Sequence, residues 1–230
     1  MMRQDREAKL LDIARELILE DGMVSFKFTD IAKRAEISRA TLYKYFSGKE
    51  DVLVSLFVHD AGNTRQMLVD ILNYEQLNDR EKLLTAMLAP VSISSSTKNT
   101  LGIAFLSANP GIYSFAGEKQ QQQLEQILEQ LRVIHTQFWM MPVKNGSLIA
   151  EKEQITQVMA AVYPYQRGCV LIPQSIMNIG GQIRRPLYDV YENLIKYTDN
   201  LQWQSGHIDT DYEKILKAIG KFERNCMIAS

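Results

Sequence analysis

The chain has 230 residues, 46% of them hydrophobic, and a formal net charge of −1. That length allows one large domain or two smaller ones, and that apolar content excludes wholesale disorder. Near-neutral charge excludes a uniformly basic surface, but the distribution is uneven: residues 27–49 carry six Lys or Arg (Lys27, Lys33, Arg34, Arg39, Lys44, Lys49) against Asp30 and Glu36, a local +4, whereas residues 51–230 hold 16 basic and 18 acidic residues. A basic head on a mildly acidic body suits a polyanionic partner touched only locally. Cys169 and Cys226 are too far apart in sequence to suggest a disulfide framework and read as small buried hydrophobes. The opening residues mix charges of both signs, so no signal peptide is expected, and no run approaches the ~18 apolar residues of a membrane span. The expected location is the cytoplasm, with no membrane partner.

Almost every segment reads as helix. Leu10, Ala14, Leu17 and Ile18 repeat at the spacing of one buried helical face, and Gly22 marks the helix end. Thr29 is the expected N-cap of a short helix burying Ile31, Ala32 and Ala35. A tight turn follows, and Ser38 caps a second short helix with Leu42 and Phe46 facing inward. Ser47 with Glu50 gives a capping-box pattern that opens a long helix to about Asn73. Further helices are expected at 79–90, ending at Pro90, at 97–108, and at 115–141, ending at Pro142. Between the second and third of these, Asn109–Gly111 makes a break. Residues 151–178 form a helix interrupted at Pro164 and Pro173. Two final helices bury Leu187, Val190, Tyr191, Leu194, Ile195, Thr198 and Leu201, then Tyr212, Ile215, Leu216, Ile219, Phe222 and Cys226. No strand alternation and no internal repeat is visible.

Two short helices joined by a tight turn, after a longer one, describe a helix-turn-helix whose second helix enters the DNA major groove. Leu42 and Phe46 would hold that helix to its domain. Arg39, Ala40 and Lys44 would face base edges, and Arg39 suits a bidentate contact to guanine. Ser38, Thr41, Tyr43 and Tyr45 carry hydroxyls suited to phosphate oxygens, and Lys49 adds a cation at the start of the next helix.

The stretch FTDIAKRAEISRATLYKYFSGKEDVL resembles the DNA-binding domain of TetR-type transcriptional regulators. The matching positions are Thr29, Ile31, Ala32, Ala35, Ser38, Thr41, Leu42, Tyr43, Tyr45, Phe46, Lys49, Glu50 and Leu53. The resemblance covers about the first 55 residues. It implies an all-α protein with a three-helix helix-turn-helix domain, 1–48, and a larger helical bundle, 49–230, for ligand binding and dimerisation. It implies phosphate contacts at Thr29, Thr41, Tyr43, Tyr45 and Lys49 and base contacts at Arg39, Ala40 and Lys44. It further implies a homodimer on double-stranded DNA with an inverted-repeat operator, and a small-molecule effector that releases a repressor by respacing its two heads. Two departures stand out. Glu36 replaces the usual turn glycine, at a cost of about 1 kcal/mol if the turn is left-handed. Ala40 adds a methyl that suits a thymine methyl.

In the larger domain, Met87, Phe105, Tyr113, Phe138, Trp139, Met159 and Tyr163 are ordinary core residues first and candidate pocket residues second, with Arg167 a candidate anchor for a carboxylate or phosphate. Leu187, Val190, Tyr191, Leu194, Ile195, Tyr212, Ile215, Leu216 and Ile219 form apolar stripes that are either intrachain core or an isologous dimer interface. His59, His135 and His207 have no partner at metal-ligand spacing, so no metal is expected. No cofactor motif and no catalytic constellation is visible, so no cofactor and no enzymatic activity is expected. Two other readings stay open: a DNA-binding regulator whose larger domain binds a protein, and a helical interaction protein that does not touch DNA.

Overall fold

The computed structural model describes residues 2–96, 110–174 and 186–228, and these are helical nearly throughout. In chain order they form α1 (Met2–Asp21), α2 (Phe28–Arg34), α3 (Arg39–Leu42), α4 (Lys49–Leu72), α5 (Asp79–Ser96), α6 (Pro110–Ser114), α7 (Glu118–Asn145), β1 (Leu148–Ile149), α8 (Lys152–Leu171), a 3-10 turn (Ile172–Gln174), α9 (Leu187–Thr198), β2 (Gln202–Trp203) and α10 (Tyr212–Ile228). Two compact units emerge: residues 1–62 with 98–129, and residues 63–97 with 130–230. The expected boundary at 48/49 falls inside the first unit, at the start of α4. The expected helix at 97–108 lies outside the described residues.

The first unit has one apolar core. α1 contributes Leu10, Leu11, Ala14, Leu17 and Ile18; α2 contributes Ile31 and Ala32; Leu42 and Phe46 come from α3 and the turn after it; Val52, Leu53 and Leu56 come from α4. α1 ends where the Gly22 amide donates to the Ile18 carbonyl at 2.9 Å, with Gly22 at φ 83°, the left-handed conformation that favours glycine. α4 does not open with the expected Ser47–Glu50 box. Asp51 takes that role: its buried carboxylate accepts from the Ser47 amide at 2.7 Å and the Ser47 hydroxyl at 2.5 Å. Asp51 also accepts from the Gly117 amide at 2.7 Å, so one carboxylate fixes both the entry to α4 and the entry to α7.

In the second unit α5 packs against α8, α9 and α10. α5 runs through Pro90 rather than stopping there. Proline removes one helical hydrogen bond and crowds the preceding turn. Gln166, buried on α8, donates to the Met87 carbonyl at 2.6 Å, beside that disturbed turn. α7 likewise passes its proline and stops three residues later. The Ser147 amide donates to the Pro142 carbonyl at 3.0 Å and the Gly146 amide to the Val143 carbonyl at 3.1 Å, with Gly146 at φ 77°. This is a Schellman motif: proline obstructs hydrogen bonding only toward its amino-terminal side, and the glycine decides where the helix ends. α8 also continues through Pro164 and tightens to 3-10 geometry at Pro173. The pair β1–β2, two residues each and antiparallel, was not expected from the sequence.

Four consecutive residues organise this unit. Asn78 and Glu81 cap α5 reciprocally: the Asn78 amide donates to Glu81 Oε2 and the Glu81 amide to Asn78 Oδ1, both at 2.9 Å. Asp79 accepts from the Ser147 hydroxyl at 2.5 Å. Arg80, 3% exposed, donates to Thr198 Oγ1 at 3.0 Å, the Ile208 carbonyl at 2.7 Å and Asp199 Oδ1 at 2.5 Å. Glu81, 2% exposed, accepts from Lys214 Nζ at 2.7 Å and the Asp211 amide at 3.2 Å. The cation therefore meets the carbonyl end of α9 and the anion meets the amide end of α10, each the sign that end of a helix favours.

Candidate nucleic-acid interface

The α2–α3 corner is built by a Schellman motif. The Ile37 amide donates to the Ala32 carbonyl at 3.0 Å and the Glu36 amide to the Lys33 carbonyl at 3.3 Å. Glu36 sits at the left-handed position, φ 53°, and is the only non-glycine residue with positive φ among those described. The corner that the sequence placed here is thus present, at the conformational cost expected of a side chain in glycine's place. Ser38 caps α3 as expected: its Oγ accepts from the Thr41 amide at 3.0 Å and lies 2.9 Å from Thr41 Oγ1.

This turn fixes which side chains face outward. Leu42 and Phe46 are buried at 0% and 1% exposure. Arg39, Ala40, Tyr43 and Lys44 are exposed on the other side, and Thr41 and Tyr45 are half-buried. The Tyr43 ring meets Phe28 edge-on at 5.4 Å, so an exposed tyrosine next to α3 is braced by the first residue of α2. Thr29 differs from expectation. The N-cap of α2 is Lys27, which makes no side-chain cap, and Thr29 is the second residue inside the helix. The apolar Phe28 packs against the core and is the first helical residue, so the helix starts two residues earlier than expected.

The basic residues of this head differ in what they touch. Arg34 forks onto Glu20 at 2.8 and 2.6 Å, and lies 3.7 Å from Glu16. Lys49 donates to the Val24 carbonyl at 2.7 Å and the Phe26 carbonyl at 3.1 Å, and its ammonium sits 4.4 Å from the Phe26 ring centroid. Burial holds the Lys49 ammonium below the usual lysine pKa. Lys27, Lys33 and Arg39 are exposed.

The other expected sites fare unevenly. Met87, Phe138 and Trp139 are buried in the second unit, and Met159 and Arg167 are half-buried there. Tyr113 belongs to the first unit, 6.1 Å from Phe57. Tyr163 is 64% exposed. Phe105 lies outside the described residues. An open recess of about 550 Å³ is lined by Val143, Leu148, Glu151, Gln154, Asn200 and Gln202, none of them an expected pocket residue. Phe138 borders a pocket of about 40 Å³, room for little more than water.

The expected dimer stripes also divide. Val190, Tyr191, Leu194, Ile215 and Ile219 are buried within the single chain. The broad apolar faces of α9 and α10 are covered by α5. Leu187, Ile195, Tyr212 and Leu216 stay half-buried, and Tyr188 is exposed with its ring 5.0 Å from Tyr212. Sequence reasoning missed Asn78–Glu81 and Asp51. An Asn followed three residues later by Glu, just before Leu83 and Leu84, was the available signal for the first. Nothing local reveals that Asp51 meets Gly117.

Two short helices about a left-handed corner, with the polar side of α3 turned to solvent, define a helix-turn-helix protein. Residues 10–56 match the model of the bacterial regulatory proteins of the tetR family. The chain is similar to the fatty acid metabolism regulator protein of Bacillus subtilis, 31% identical over 100 residues, 43% of this chain and 51% of that protein. It is also similar to the HTH-type transcriptional regulator EthR of Mycolicibacterium smegmatis, 46% identical over 52 residues, 23% of this chain and 24% of that one. The matches thus span about half and about a quarter of those relatives' lengths. The matched family and relatives are regulators rather than enzymes. In fold, the chain resembles the B. subtilis transcriptional regulator FadR in complex with stearoyl-CoA (TM-score 0.58, 21% identity, 82% of this chain and 95% of that chain). Reduced Escherichia coli NemR shares the fold (TM-score 0.61, 18% identity, 87% and 99% of the two chains). Among the described residues no helix is long and apolar enough to cross a membrane.

Proposed function

We propose that this chain is a cytoplasmic, sequence-specific DNA-binding repressor that grips an inverted repeat as a homodimer. The observation that carries the reading is α3: a capped turn of helix fixed by buried Leu42 and Phe46, with Arg39, Ala40 and Lys44 facing solvent. These three read bases, and Thr29, Ser38, Thr41, Tyr43 and Tyr45 contribute hydroxyls for the DNA backbone. Residues 1–48 are the DNA-binding domain. Two-fold pairing places two heads on half-sites about one helical turn, ~34 Å, apart. Selection of genomic fragments by the purified protein at ~0.15 M salt, followed by sequencing, tests this. An inverted repeat is expected, and recovery of random fragments sinks the proposal.

The effector we propose is a long-chain acyl thioester of coenzyme A. The support is the fatty-acid regulator among the relatives and the stearoyl-CoA complex of a protein with this fold. A ligand weakens DNA binding only if it prefers the state that does not fit the operator. Stearoyl-CoA should therefore release the operator in fluorescence anisotropy while free coenzyme A does not. Equal operator affinity with and without stearoyl-CoA rules this effector out.

A further inference from the structure

Lys27 and Lys49 stand in contrasting surroundings. Lys49, at the first position of α4, directs two of its three N–H groups at main-chain carbonyls of Val24 and Phe26, at 2.7 and 3.1 Å. Its ammonium also lies over the Phe26 ring, which is 2% exposed and belongs to the core. These acceptors lie in the segment joining α1 to α2, immediately before Lys27. That segment has few ties of its own: Ser25 and Phe26 amides donate to the Gly22 carbonyl at 3.2 and 3.1 Å. Lys27 is the opposite case. It is exposed, it stands at the N-cap of α2, and among the described residues its ammonium makes no hydrogen bond or ion pair. The next residue, Phe28, braces the Tyr43 ring at 5.4 Å, so Lys27 emerges at the same end of α2 as a tyrosine assigned to the DNA backbone.

We propose that Lys27 is a DNA phosphate ligand and that Lys49 is its positioning residue, stapling Val24 and Phe26 so that Lys27 is presented to the backbone. This rests on the DNA-binding reading above. A phosphate ligand moves the salt dependence of binding by about 0.9 per contact, whereas a positioning residue moves it only through the ligand it holds. The two roles therefore differ in a double-mutant cycle.

The test is the slope of log affinity against log salt for operator DNA, measured on the full chain and on Lys27→Ala, Lys49→Met and the double variant. Each single variant should lower the slope by about one unit, and the double variant should lower it by about one rather than two. A loss of about two units in the double variant means that Lys49 grips phosphate itself, and overturns the proposal. So does a Lys27→Ala protein with the parental slope. A second readout needs no DNA: trypsin should cut after Lys27 several-fold faster in Lys49→Met than in the parent. Equal cutting overturns the staple. If Lys49→Met does not fold, Lys49→Gln, which keeps a donor without the charge, takes its place in both measurements. If the parent protein binds no DNA, the DNA-binding reading fails, and the trypsin comparison still decides whether Lys49 holds the segment.

Discussion

The Ile37 amide meets the Ala32 carbonyl at 3.0 Å, and that bond forces Glu36 into the left-handed region at φ 53°. A side chain there costs on the order of 1 kcal/mol relative to glycine, set against the greater freedom that glycine gives the unfolded chain. Glu36→Gly should raise stability by roughly 0.5 kcal/mol and leave the corner intact. Glu36→Val should lower it by about 1 kcal/mol or more, because branching at Cβ worsens the clash. Urea unfolding of the three proteins decides, and a Gly variant less stable than its parent would contradict the account.

Arg39 is exposed on the face of α3 opposite Leu42 and has no protein acceptor among the described residues. Arg39→Ala should relax preference at one base pair by about 1–3 kcal/mol while leaving other positions of the operator as they were. Affinity measured on a panel of single-base operator variants checks this. An unchanged profile would remove Arg39 from the base-reading set.

Arg80 and Glu81 are adjacent, buried, and bonded to opposite ends of two helices. Arg80→Met leaves the Ile208 carbonyl and Thr198 without their donor, and a cost of about 1–3 kcal/mol is expected. Glu81→Gln places an amide N–H where two donors already point, at about 2 kcal/mol. Both should appear as lower urea midpoints with little change in the intrinsic DNA contacts of the head. A loss under about 1 kcal/mol for Arg80→Met would mean that the helices are held chiefly by their apolar contacts.

Burial holds the His135 imidazole below its ordinary pKa. Between that lowered value and the unfolded value near 6.5, the unfolded chain carries a proton that the native chain lacks. Stability should therefore fall as pH drops through about 6.5, and His135→Gln should remove that part of the slope. Asp60 acts at lower pH. Burial opposes its ionisation, but hydrogen bonds from His59 and Arg15, and their charges, lower its pKa below the ordinary carboxylate value. Its contribution is present above the unfolded value and is lost as pH falls through the lowered one. Urea midpoints compared at about pH 5 and about pH 7.5 isolate His135; parallel lines for parent and variant would refute the assignment.

The sequence by itself determined whatever rests on neighbours within one or two helical turns. Leu10, Ala14, Leu17 and Ile18 lie on one face of α1, Gly22 ends it, Ser38 caps α3, and Leu42 and Phe46 turn inward, all as their spacing requires. The same locality made Glu36 recognisable as a residue in glycine's place. Tertiary structure decided what depends on residues far apart in the chain. Pro90 did not end its helix, and Gln166, 79 positions from Met87, is what meets the disturbed turn. Asp51 was bonded to Ser47 and Gly117, 66 positions apart from the second, rather than leaving Glu50 to close the cap. The apolar stripes of α9 and α10 were legible as stripes, but periodicity cannot say what covers a face, and α5 of the same chain covers them. Charge was legible as a count of six cations. Which of them are committed to carbonyls and carboxylates, and which stand open to a polyanion, depends on where the chain brings Val24, Phe26 and Glu20 back to meet them.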